Sequence, residues 1–182
     1  MIAETREATI EDLYKIKQKA EIVNGEIVLM PPTGDEPGYA EDEIFVSLHE
    51  YAKKKGFGRA IGDNKAFKVD LPNRKSFSPD AAFFTGERAG MKFFTGAPAF
   101  AVEVRSENDY GNRAEQAMAQ KRADYFAAGT QVVWDVDLLS EDVVRVYRAS
   151  DPENPTVYGR GEFAEAEPAV PGWKMAVDDL FE

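Results

Sequence analysis

Ala99-Phe100-Ala101-Val102-Glu103-Val104-Arg105 is the stretch on which the fold turns. Phe100, Val102 and Val104 fall on one face of a strand, and Ala99, Ala101, Glu103 and Arg105 on the other. Residues 112–128 then carry a helical pattern. At about 3.6 residues per turn, Ala114, Met118, Lys121, Tyr125 and Ala128 form one stripe. Asn112 and Glu115 resemble a capping box, and Gly129 suits the position just past the helix. A second strand follows at 131–136. Strand, helix and strand in this order predict a right-handed βαβ crossover.

The flanking segments extend this unit into a mixed sheet with helices packed on it. A first helix is expected from Thr9 as N-cap, with Asp12 three residues on, carrying Leu13, Ile16 and Ala20. Residues 21–30 read as a hairpin about a type I′ Asn24-Gly25 turn, ended by Pro31-Pro32-Thr33-Gly34. A second helix is expected over 37–55, with Ala40, Ile44, Ser47, Leu48 and Tyr51 on one stripe. Gly56 would close it, and Lys53, Lys54 and Lys55 suit the negative end of its dipole. Further strands are expected at 67–69, 79–84 and 143–148, with Pro171-Gly172-Trp173-Lys174-Met175 as a last strand or cover. The fold class is therefore α/β of mixed α+β character. One domain over 1–182 is expected, with residues 1–32 as an N-terminal helix and hairpin extension.

Composition narrows the chemistry. The 182 residues carry 22 Lys and Arg against 33 Asp and Glu, a net charge of −11. A chain of this length buries roughly 70% of its unfolded surface, and 43% hydrophobic residues with 12% aromatics supply a core. No apolar run approaches a bilayer span and the N-terminus is charged, so no membrane partner is expected and a cytoplasmic location fits. With no cysteine and only His49, disulfide scaffolds, thiolate zinc, Cys nucleophiles and multi-His sites drop out. Any metal would be a hard ion held by oxygens.

Acids on strands are the candidates for holding one. Glu103 lies in a strand expected to be buried on both faces, so it needs a partner. Arg105, on the same face, could supply it as a plain ion pair. Asp80, in Ser78-Pro79-Asp80-Ala81-Ala82, opens an apolar strand. By itself it reads as a strand-end acid, but with Glu103 it puts two carboxylates on two strands, a donor set suited to Mg²⁺ or Mn²⁺. Lys121 interrupts the helix face that should meet the sheet. It either snorkels or aims its ammonium at the carboxylates, where it could orient a water or offset phosphate charge. Glu43, about 100° from Ile44 on the second helix, is either a solvated residue or an accessory acid.

Together, Asp80, Glu103, Arg105 and Lys121 resemble the PD-(D/E)xK signature of restriction-endonuclease-like nucleases, and the chain as a whole resembles the Uma family of endonucleases. The matching pieces run in order: residues 20–32, Ser78-Pro79-Asp80, Val102-Glu103-Val104-Arg105-Ser106, Lys121 with Tyr125 and Gly129, Val133-Trp134-Asp135-Val136-Asp137, and Pro171-Gly172-Trp173. The resemblance implies a central mixed sheet flanked by helices and Mg²⁺-dependent hydrolysis of DNA phosphodiesters. It implies Asp80 and Glu103 as metal ligands and Lys121 as the lysine, placed on the following helix. Arg105 stands at the usual lysine position, where it could bind phosphate or brace Glu103. Glu43 matches the superfamily's first-helix acid loosely. A homodimer, suited to cutting two strands, is implied as well.

Two other classes stay open at this point. One is a nuclease fold that no longer cuts and serves as a protein-binding or assembly module, with Glu103 and Arg105 closed on each other; the negative net charge favours it. The other is a two-carboxylate glycoside hydrolase, for which Trp134 and Trp173 would be the only sugar platforms. A nuclease needs a local basic patch. Lys53, Lys54, Lys55, Arg59, Lys65 and Lys68, or Lys92 with Arg113 and Arg122, could supply it or simply solubilise the surface.

Overall fold

The computed structural model describes residues 6–182. The first described element is a single helical turn, α1 (Ile10–Leu13), with Thr9 as the expected N-cap: the Thr9 side chain accepts from Asp12 N–H, and the Asp12 carboxylate accepts from Thr9 N–H to complete a capping box. This helix does not continue to Ala20. Ala20 instead opens β1 (Ala20–Val23), which pairs with β2 (Glu26–Leu29) from Ala20↔Leu29 to Val23↔Glu26. Asn24 and Gly25 turn the chain at φ 51° and 77°, the positive pair that a type I′ turn requires. Strand pairing gives the backbone at Ala20 partners that a second helical turn would have had to find alone.

Helix α2 (Asp35–Lys55) begins two residues before the expected start, with Pro37 in the first turn, where its missing N–H costs nothing. Ala40, Ile44 and Leu48 are buried, and Gly56 closes the helix at φ 63°. There follow β3 (Arg59–Ile61), β4 (Phe67–Leu71), β5 (Arg74–Phe77), β6 (Ala81–Phe84), β7 (Phe94–Thr95) and β8 (Phe100–Val104). After α3 (Asn112–Ala127) come β9 (Val132–Val136), β10 (Val144–Arg148), β11 (Asp151–Tyr158), β12 (Phe163–Glu165), β13 (Lys174–Ala176) and a 3₁₀ turn (Val177–Leu180). The cap of α3 differs from expectation. Gly111, at φ 97°, is the N-cap in place of Asn112 and has no side chain to bond, and the Glu115 carboxylate is engaged by Arg105.

The central sheet has six strands in the order β11-β10-β9-β8-β6-β3. Only β8 and β9 run parallel, joined by α3 as the expected crossover, so the sheet is mixed. One face, with Phe83, Phe100, Val102, Trp134 and Val146, packs on α2 and on Val170, Trp173 and Leu180. The sequence pattern places helices against the sheet and does not indicate a second sheet on its other face. That face is shared between Tyr125 of α3 and a second sheet, β2-β1-β5-β4-β7, which contributes Phe67 and Phe77. The N-terminal hairpin is thus the edge of that second sheet: Val23 pairs with Arg74, and Ile22 N–H donates to Ser76 Oγ at 2.9 Å. Strands β12 and β13 form a separate pair. Among the described residues no helix is long and apolar enough to cross a membrane.

Candidate active site

The register of β6 against β8 sets the two strand acids side by side. Ala81 pairs antiparallel with Val102, and one step further along the ladder Asp80 meets Glu103. Asp80 N–H donates to Val102 O at 3.0 Å, and its Oδ2 accepts from Val104 N–H at 2.7 Å. Its Oδ1 accepts from Lys19 Nζ at 2.6 Å. Glu103 Oε1 accepts from Tyr125 O–H at 2.6 Å and lies 2.8 Å from Lys121 Nζ. Tyr125 and Lys121 are four residues apart on α3, which is why one helix face delivers both.

Lys121 is shared. Its ammonium also lies 2.9 Å from Oε1 of Glu21, a buried acid on β1. Glu21 is fixed from the other side by Arg74 Nη1 at 2.6 Å and by Ser78 N–H at 2.7 Å, and Arg74 Nε reaches Asp124 Oδ2 at 2.9 Å. Burial alone would discharge Lys121, but the charges of Glu103 and Glu21 outweigh it and raise its pKa. Burial pushes Glu103 up to about 7; Lys121 opposes this shift, while Asp80 and Glu21 add to it. Burial also opposes ionisation of Glu21, yet the cations Lys121 and Arg74 hold it below the usual carboxylate range.

A third group of acids adjoins Asp80. One carboxylate oxygen each of Glu41, Asp63 and Asp80 lie within 4.8 Å of one another. Glu41 is 6% exposed, and its Oε2 has no hydrogen-bond partner among the described residues. Burial, then the charges of Asp80 and Asp63, push its carboxyl up to about 8. Lys19 Nζ bridges Asp63 Oδ1 at 2.5 Å and Asp80 Oδ1 at 2.6 Å. This all-oxygen donor set, with one buried oxygen lacking any partner, fits a hard divalent cation.

Of the residues expected at the site, Asp80, Glu103 and Lys121 come together. Glu43 does not join them: it lies on the opposite flank of the α2 stripe from Glu41, and its charge acts on Tyr39. Arg105 forms no closed pair with Glu103. Its Nε and Nη2 each reach Asp135 at 2.8 Å, and the remaining edge takes Glu115. His49 is exposed and stacks on Phe45. Trp134 and Trp173 pack together in the core, with Nε1 atoms donating to Glu165 O and Ser47 Oγ, so neither presents a sugar platform. The pattern of the sequence does not single out Glu21, Glu41, Lys19 or Asp63. Glu21 looks like the polar side of an alternating strand, and Glu41 and Glu43 flank the α2 stripe equivalently until the sheet is in place.

A cleft of about 750 Å³ is lined by Lys19, Asp80, Glu103 and Lys121, with Met30, Arg113 and Met118 also bordering it, whereas Glu41 and Asp63 lie outside its lining. A crystal structure described as a putative nuclease belonging to DUF820, from Anabaena variabilis ATCC 29413, superposes with a TM-score of 0.73. The match covers 96% of this chain and 97% of that one at 19% identity, which establishes a shared fold. No curated protein matches the chain. The family Uma2, described as putative restriction endonuclease, matches residues 8–178, nearly the whole of the fold just described, and the chain belongs to that family.

Proposed function

We propose that the protein is a Mg²⁺-dependent endonuclease that hydrolyses phosphodiester bonds of DNA. The observation that carries this reading is the neighbouring pair Asp80 and Glu103 with the Lys121 ammonium 2.8 Å from Glu103, all lining one open cleft. Asp80 and Glu103 would hold Mg²⁺ or Mn²⁺, and Glu41 and Asp63 are further oxygen donors beside Asp80. A bound ion supplies Lewis acidity toward phosphate and lowers the pKa of a coordinated water. Lys121 would orient that water and offset charge developing on the phosphate. Tyr125 fixes the Glu103 carboxylate, and Glu21, anchored by Arg74, keeps Lys121 in place. Arg105 serves as a brace rather than as a phosphate ligand, since Asp135 and Glu115 use its guanidinium.

The second reading, a fold that no longer cuts, is favoured by one observation: Lys19 already neutralises Asp63 and Asp80 as an ion pair. Mg²⁺ calorimetry and plasmid cleavage on wild type, Asp80→Asn and Glu103→Gln separate the two. The nuclease reading expects saturable binding and cleavage in wild type, both lost in the variants while circular dichroism stays native. Absence of both in the wild type would leave the second reading standing.

A further inference from the structure

Lys19 is bonded to the acids of the site, yet the proposed chemistry does not use it. It lies just before β1, and the Met30 N–H bond to its carbonyl at 3.0 Å fixes its backbone to the hairpin. Its side chain runs along the cleft, 11% exposed, and ends on two of the three clustered acids. A Mg²⁺ ion takes oxygen ligands at about 2.0–2.1 Å. An ammonium at 2.5–2.6 Å from Asp63 Oδ1 and Asp80 Oδ1 holds those same oxygens. Two cations on the same oxygens repel each other in a poorly solvated site. Asp80 Oδ2 accepts from Val104 N–H at 2.7 Å, which occupies one of its lone pairs, so the lysine-held Oδ1 and the hydrogen-bonded Oδ2 both already have a partner. One ammonium also serves this cluster incompletely: it reaches Asp63 and Asp80, and Oε2 of Glu41 keeps no hydrogen-bond partner among the described residues.

We infer that Lys19 is an internal counter-cation that competes with the divalent ion for Asp63 and Asp80, withdraws along the cleft when the ion binds, and thereby sets the metal affinity of the protein. The inference rests on the metal-dependent reading above. The four-carbon stem of a lysine makes the withdrawal a side-chain rotation, with no change in the hairpin.

The test is a Mg²⁺ titration of the full chain, wild type against Lys19→Met, by calorimetry and by thermal unfolding with and without chelator. Removing a competitor that must break a partly buried ion pair should tighten Mg²⁺ binding about tenfold or more. It should also enlarge the rise in Tm that Mg²⁺ produces. Binding seen in Lys19→Met and absent in wild type would mean that the lysine blocks the site outright, which overturns its withdrawal and the metal-dependent reading with it. Binding in wild type that is equal or weaker in Lys19→Met overturns it and leaves the metal-dependent reading intact. Binding in neither overturns that reading, and the inference with it. Should Lys19→Met not fold, acetylation of wild-type Lys19 read by peptide mapping decides the matter. Lys19 should be protected in chelator and become reactive at saturating Mg²⁺ while exposed lysines stay unchanged; protection in both conditions would overturn the inference.

Discussion

Glu41 and Glu103 are carboxyls that the fold makes costly to ionise, held at about 8 and about 7 against an ordinary 4.5. An acid whose pKa rises on folding binds more protons in the native than in the unfolded chain between the two values. Stability is therefore greatest below the ordinary value and falls as pH rises through that window. In chelator, the protein should lose thermal stability from about pH 5 to pH 8. Glu41→Gln keeps the shape and removes the charge, so it should recover part of the loss at pH 8. A gain of about 3–6 °C is expected, corresponding to about 1–2 kcal/mol in a domain of this size, with no gain at pH 5. Melting curves across this range check it, and a variant that is less stable at pH 8 would refute the strain assigned to Glu41. Lys121 behaves in the opposite sense: with its pKa raised, it stays charged throughout the window and contributes no slope there.

Helix α3 shows how an element can be half core and half cleft wall. Its second half is anchored by Tyr125 and Asp124, whereas over 112–120 only Ala114 and Met118 are even half-buried. The Arg105 clip joins that exposed half to the sheet, through Glu115 on the helix and Asp135 on β9. Arg105→Ala would leave Asp135, 3% exposed, with only Arg122 at 3.5 Å. A loss of about 3–5 kcal/mol is expected for breaking such a buried pair. Arg105→Lys should not restore it, since the fork is used at both edges. Hydrogen exchange should quicken over 112–120 before the rest of the chain; a uniform change would deny the clip this local role. The sequence made β8 and α3 legible through their clean periods, two for the strand and about 3.6 for the helix, and β9 as a short apolar run just past the glycine that closes the helix. It did not reveal β3, β5, β7, β11 or β12. These are short or polar, and β11 carries Pro152 and Pro155 at the open edge of its sheet, where a missing N–H is tolerated. Asp80, Glu103 and Lys121 were legible as polar interruptions of apolar patterns. Glu41 was not, since a helix alone offers two equivalent flanks and only packing on β3, β6, β8 and the 3₁₀ turn chooses between them.

At the scale of the molecule, the site is built where the second sheet and α3 share one face of the central sheet, which brings residues as far apart in the chain as 19 and 121 together. This arrangement bears on how a chain of net charge −11 could meet a polyanion. At physiological salt the Debye length is about 8 Å, so acids on the far surface are largely screened and the rim of the cleft sets the local field. Among the cations considered for a basic patch, Lys92 lies over the Tyr14 ring, and Arg122 is occupied by Tyr147 and Asp135. Arg113 is exposed, lines the cleft and has no salt bridge among the described residues. Arg113→Glu should therefore weaken DNA binding and flatten the dependence of log K on log salt by about one unit, the signature of one lost phosphate contact. Mg²⁺ affinity should be unchanged and stability altered by no more than about 0.5 kcal/mol, as for an ordinary surface substitution. Anisotropy of a labelled duplex across a salt series, alongside a Mg²⁺ titration, measures both. An unchanged salt slope would move the phosphate contacts away from the α3 wall, whereas a matching loss of Mg²⁺ affinity would mean that Arg113 acts on the acids of the site and not on the substrate.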